Sequence, residues 1–152
     1  MLKEGDRAPD FELEADDGSR VRLSSLKGKT VIVYFYPKDD TPGCTTEACG
    51  FRDSWGAIKA KGAVVLGVSP DSAASHVAFK GKFSLPFTLL ADPDKKVLTA
   101  WGGYGKKMMY GKEVEGVIRS TFIVGPEGTV VKVFPKVKAE GHAAEVLAAL
   151  GG

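Results

Sequence analysis

Sulfur is scarce in this chain. Among 152 residues there are two cysteines, Cys44 and Cys49, five positions apart. Charge imbalance is slight as well. The formal net charge is +2, so long-range attraction to nucleic acid or to an anionic membrane is not implied. The one local cluster, Lys106-Lys107, is too short for a nucleic-acid patch. No apolar run approaches the ~20 residues of a membrane span. The opening MLKEGDRAPDFEL has no apolar core of signal-peptide length. The expected location is the cytoplasm, where a disulfide is usually transient and either catalytic or redox-sensing.

Other absences narrow the chemistry. There is no C-x-x-C, the usual thioredoxin-type redox motif. Zinc would need four ligands, and two cysteines at this spacing plus distant His76 and His142 do not supply them. No nucleophile elbow, P-loop or paired-acid pattern occurs. No zinc site is therefore expected. A cysteine–histidine pair would need a histidine beside the cysteine in space, which the sequence leaves open. His76 reads as a helix-surface residue and His142 as the start of the last helix. Trp55 and Trp101 read as core.

What is present is an ordinary globular composition, 43% hydrophobic and 26% charged, fitting a single domain over residues 1–152. Phe11-Glu12-Leu13 and Val21-Arg22-Leu23 flank a turn at Asp16-Asp17-Gly18 and predict a hairpin. Val31 to Tyr36 and Ala63 to Ser69 are continuous apolar runs, as in strands buried on both faces. Residues 42–61 between them predict one helix, with Ala48, Phe51, Trp55 and Ile58 on one face. A helix after Pro70-Asp71-Ser72, with Val77, Phe79 and Phe83 apolar, a short strand at 87–90 and a short helix at 94–101 follow. Residues 102–116, rich in glycine and lysine, read as a loop. Two strands around Gly125-Pro126-Glu127-Gly128 and a helix from His142 to Leu150 close the chain. Alternating strands and helices imply an α/β protein with a central mixed sheet flanked by helices. Ligand chemistry in such sheets gathers at the carboxyl ends of the strands, and Cys44 lies seven residues past Pro37, just beyond such an end.

Thr41-Pro42-Gly43-Cys44 predicts a helix start, with Thr41 as N-cap and Pro42 at the first helical position. Cys44 then falls in the first turn, near unpaired amides and the positive end of the helix dipole. That placement favours the thiolate, which is the nucleophile. Asp39 and Asp40 oppose it, so a compensating cation is needed. Lys38, Arg52 and Arg119 are the candidates. Arg119 is favoured because a parallel sheet could bring it beside the Cys44 loop, the plainer alternative being a surface or salt-bridging arginine. On an intact helix a five-residue step places two Cα atoms about 8.6 Å apart, beyond the about 7 Å a disulfide spans. The spacing suits a transient disulfide made by local unwinding. The plainer alternative is a small buried helix residue beside a chance surface thiol.

Pro37-Lys38-Asp39-Asp40-Thr41-Pro42-Gly43-Cys44 has the form P-x-x-x-T-x-x-C and resembles the active-site motif of the peroxiredoxins. Cys49 five residues on resembles the bacterioferritin comigratory protein, or peroxiredoxin Q, subgroup. The likeness extends through Gly67-Val68-Ser69-Pro70-Asp71-Ser72, the segment Leu85 to Asp92, and Arg119 to Val124. The resemblance implies a thioredoxin-like fold with an N-terminal hairpin and a thiol peroxidase acting on hydrogen peroxide and organic hydroperoxides. By that likeness Cys44 is the peroxidatic residue, Cys49 the resolving one, and thioredoxin or a similar dithiol the reductant. Thr41 touches the sulfur and the peroxide, Pro37 shields the pocket, and Arg119 supplies positive charge. A monomer is implied, since both cysteines lie in one chain, and no metal, flavin or haem cofactor is implied. Protein disulfide exchange and a cysteine-based switch are the rival readings.

Overall fold

The computed structural model describes residues 1–150. β1 (Glu12–Ala15) and β2 (Arg20–Arg22) form the expected N-terminal hairpin, and a 3-10 turn follows at Leu23–Leu26. Next come β3 (Thr30–Phe35), α1 (Pro42–Asp53), α2 (Trp55–Ala60), β4 (Ala63–Ser69), α3 (Ala73–Phe83) and β5 (Thr88–Ala91). The chain ends with α4 (Lys96–Trp101), β6 (Tyr104–Met109), β7 (Lys112–Val117), β8 (Ser120–Val124), β9 (Val130–Phe134) and α5 (His142–Leu150).

Seven strands make one sheet in the order β2-β1-β5-β4-β3-β8-β9. β3, β4 and β5 run parallel, because each is joined to the next by helical crossovers. β8 lies antiparallel to β3, with Phe35 opposite Ser120. That register sets Arg119 at the carboxyl end of β3, where the chain leaves for α1.

Alternation along β3 divides the core. Val31, Val33 and Phe35 face a layer closed by Leu98 and Trp101 of α4. Ile32 and Tyr34 face the layer of α1, α3 and α5, with Phe51, Phe79 and Val146. Each such fully buried large apolar side chain stabilises the fold by roughly 1.5–3 kcal/mol. The sheet therefore forms a rigid floor from which the β3–α1 connection rises.

Five expectations need correction. Residues 42–61 are two helices, because Ser54 leaves helical geometry (φ −95°, ψ 2°) and caps both. Trp55 beside that break is only half-buried, whereas Trp101 is fully buried. On α3 the inward positions are His76 and Phe79, and Val77 is 54% exposed. His76 is thus a core residue and not a surface one. Residues 102–116 hold a second hairpin, β6 paired with β7. Tyr110 and Gly111 both have positive φ, 53° and 77°, the geometry of a two-residue hairpin turn.

Candidate active site

Pro42 and Gly43 occupy the first two positions of α1 and Cys44 the third. The first helical hydrogen bond runs from the Thr45 amide to the Thr41 carbonyl. The amides of Gly43 and Cys44 therefore precede the helical ladder. Thr41 has the extended backbone of an N-cap (φ −96°, ψ 156°), yet its side chain caps nothing. Its hydroxyl donates to the Lys38 carbonyl at 2.8 Å and braces the loop.

Cys44 is buried and Cys49 half-buried, and both are free thiols. Arg119 Nη2 donates to Cys44 Sγ at 3.2 Å. Of the three candidate cations, this is the one that reaches the sulfur. Lys38 is exposed. Arg52 binds the Phe83 carbonyl at 2.9 Å and Asp53 at 3.0 Å, and its charge answers Cys49. Gly43 makes room for the arginine: a Cβ there would stand 3.1 Å from Arg119 Nη2. Pro37 and Arg119 line one side of an open depression of about 640 Å³, walled opposite by Lys106 to Met109 of β6. Cys44 and Thr41 are not part of that wall.

Glu47 completes the group and was not anticipated. Its Oε1 accepts from Arg119 Nη1 at 2.6 Å, so one guanidinium spans carboxylate and sulfur. The signal was available, because residues three apart share a helix face and Glu47 follows Cys44 by three. Glu47 is 1% exposed. Burial pushes its carboxyl up to about 7, against the opposing pull of Arg119. Its Oε2 is buried without a partner among the described residues. For Arg119, burial works against the charge, but Glu47 and Cys44 outweigh it and raise the guanidinium above its ordinary value. The arrangement holds a buried thiol against a fixed cation, which suits attack on a substrate whose leaving atom gains negative charge.

His142 stands apart from this group. It begins α5 as expected but is buried, with Nε2 2.7 Å from Thr121 Oγ1. Burial lowers its pKa despite Glu145 nearby. Neither histidine has a hydrogen bond to a cysteine sulfur among the described residues, so no cysteine–histidine pair forms.

Comparison with known proteins agrees with this geometry. Residues 4–133 match the AhpC/TSA family. The chain is 50% identical to the peroxiredoxin Bcp of Bacillus subtilis over 96% of this chain and 93% of that one. It superposes on the Xanthomonas campestris bacterioferritin comigratory protein, studied for alkyl peroxide reduction, with TM-score 0.90 and 42% identity over 99% of this chain and 96% of that one. For Xylella fastidiosa peroxiredoxin Q the TM-score is 0.93 at 35% identity, over the same shares of the two chains. The chain therefore belongs to the AhpC/TSA family, has the thioredoxin-like fold of its bacterioferritin comigratory protein and peroxiredoxin Q members, and is a thiol peroxidase.

Proposed function

We propose that Cys44 is the peroxidatic residue and Cys49 the resolving one. The observation that carries this is Arg119 Nη2 at 3.2 Å from Cys44 Sγ. The Cys44 thiolate attacks one peroxide oxygen, and the O–O bond breaks. Sulfur gains a hydroxyl and is oxidised to a sulfenic acid; the other oxygen leaves with the bonding pair and takes a proton as water or an alcohol. Arg119, held by Glu47, and the amides at the start of α1 meet the negative charge as it develops. The Thr41 hydroxyl donates its hydrogen bond to the Lys38 carbonyl, so its lone pairs are free to accept from the peroxide O–H. Pro37, which lines the same depression as Arg119, shields the approach to the sulfur.

The second half of the cycle needs motion. With α1 intact the two cysteines are separated by five helical positions, so the first turns unwind before Cys49 condenses with the sulfenate and releases water. Thr45 and Thr46, weak helix formers, ease that step. A dithiol protein of the thioredoxin kind then exchanges with the disulfide and restores both thiols. The substrate class is hydrogen peroxide and organic hydroperoxides, in the service of antioxidant defence. With both cysteines in one chain the cycle closes within a monomer, and a reducing compartment such as the cytoplasm suits its resting dithiol. No helix among the described residues is long and apolar enough to cross a membrane.

The test is peroxide consumption with excess dithiothreitol, for the wild-type chain and for Cys44→Ser. Rapid consumption that vanishes in the variant is the expected result. Consumption that persists in Cys44→Ser would reject Cys44 as the site. No consumption above background would turn attention to protein disulfide exchange.

A further inference from the structure

The loop that carries Cys44 away from β3 is fastened to α3 by polar side chains that this mechanism does not use. His76 is fully buried. Its Nδ1 lies 2.7 Å from Asp39 Oδ2, and its Nε2 lies 2.9 Å from the Leu90 carbonyl oxygen. A carboxylate and a carbonyl only accept, so each ring nitrogen faces an acceptor. The same carboxylate accepts from the Tyr36 hydroxyl at 2.6 Å and from Ser75 Oγ at 2.8 Å. The Asp39 amide donates to Asp71 Oδ2 at 2.7 Å. Burial alone would raise the Asp39 pKa, but hydrogen bonds from His76 and Tyr36 and the charge on the ring outweigh it and hold the carboxyl below its ordinary value. The next residue, Asp40, takes a left-handed backbone (φ 59°) and binds Lys82 Nζ at 2.8 Å. Each acid ahead of Cys44 thus has its own side-chain partner from α3, and Arg119 is left to Glu47 and Cys44.

We propose that His76 is a positioning residue for the peroxide step: through Asp39 it holds the backbone of residues 37–41, and with it the Cys44 sulfur, in line with Arg119. His76 does not touch the reacting atoms. A buried ion pair adds little net stability over apolar packing of the same volume, whereas small displacements of reacting groups are costly to rate. The anchor also marks where unwinding stops, since residues 37–39 stay on α3 while Cys44 swings toward Cys49.

The inference rests on Cys44 being the residue that peroxide oxidises. Stopped-flow measurement on the full chain separates the second-order oxidation by hydrogen peroxide from the first-order formation of the disulfide. His76→Leu is expected to slow oxidation roughly 10- to 100-fold and to leave disulfide formation unchanged or faster. His76→Asn returns a donor at the Nδ1 position and is expected to come within about 3-fold of wild type. Equal slowing of both steps, or wild-type oxidation in folded His76→Leu, would overturn the proposal. Should His76→Leu not fold, Ser75→Ala removes one bond to the same carboxylate without stranding a charge. Slower oxidation with an unchanged disulfide step supports the proposal there, and unchanged oxidation rejects it. If Cys44→Ser has lost activity while these variants behave as wild type, only this inference fails. If Cys44→Ser is active, the reading beneath it fails.

Discussion

Cys44 and Cys49 sit on one helix, five residues apart, in opposite circumstances. Cys44 is buried under a guanidinium that is itself gripped by a buried carboxylate. Cys49 is half-buried, and its nearby cation, Arg52, is engaged with Asp53 and the Phe83 carbonyl. The contrast teaches that the helix does two jobs with one side-chain type. In the proposed cycle its first turn fixes a sulfur for attack, where position decides rate, and its second turn holds a sulfur to be met after the helix loosens, where access matters more than geometry.

The sharpest way to break that contrast is Arg119→Ala. Removing the preorganised charge should lower the second-order rate constant with peroxide by roughly 10²- to 10³-fold and leave the chain folded. A loss under about threefold in stopped-flow oxidation would mean that the arginine only braces Glu47. Cys49→Ser should act on the other sulfur alone. Oxidation of Cys44 should proceed at the wild-type rate for one turnover, while steady consumption driven by thioredoxin becomes poor. Full thioredoxin-linked turnover in that variant would remove Cys49 from the cycle.

The smallest effect concerns Glu47, whose carboxyl is raised from 4.5 to about 7 by burial. Between those values the folded chain keeps a proton that the unfolded chain has released. Stability contributed by this residue therefore falls as pH rises through the window and levels off above it. Urea unfolding at the two ends of the window should show this slope in the wild-type chain and a flatter one in Glu47→Gln. Parallel slopes would show that Glu47 does not titrate there. The amide of the variant still accepts from Arg119, so oxidation should slow less than in Arg119→Ala.

Much of this was readable because the signals were local. The apolar run Val31 to Tyr36 had to be a strand covered on both faces. Thr41-Pro42-Gly43 placed Cys44 in a first helical turn, and Arg119 could be favoured on strand pairing. What escaped depended on distant partners or on missing periodicity. His76 looked like a surface residue because Asp39 and Leu90 are 37 and 14 positions away in sequence. The β6–β7 hairpin looked like a loop because Tyr104–Met109 mixes glycine, lysine and methionine on a largely exposed ribbon. Thr41 was expected to cap α1 with its hydroxyl oxygen, but that hydroxyl is turned to the Lys38 carbonyl 2.8 Å away and accepts from no amide of the first turn.

The pairing of Phe35 with Ser120 has a consequence for how this chain can change length. Side chains alternate faces along a strand, so losing one residue within β8 would turn the residues before it to the opposite side. The guanidinium would then point away from the sulfur although no site residue had been replaced. Deletions at the tip of the β6–β7 hairpin, where Tyr110 is 97% exposed, meet no such constraint. That ribbon can be lengthened or trimmed at its tip, while the spacing from Arg119 to Val124 cannot change without turning Arg119 from Cys44.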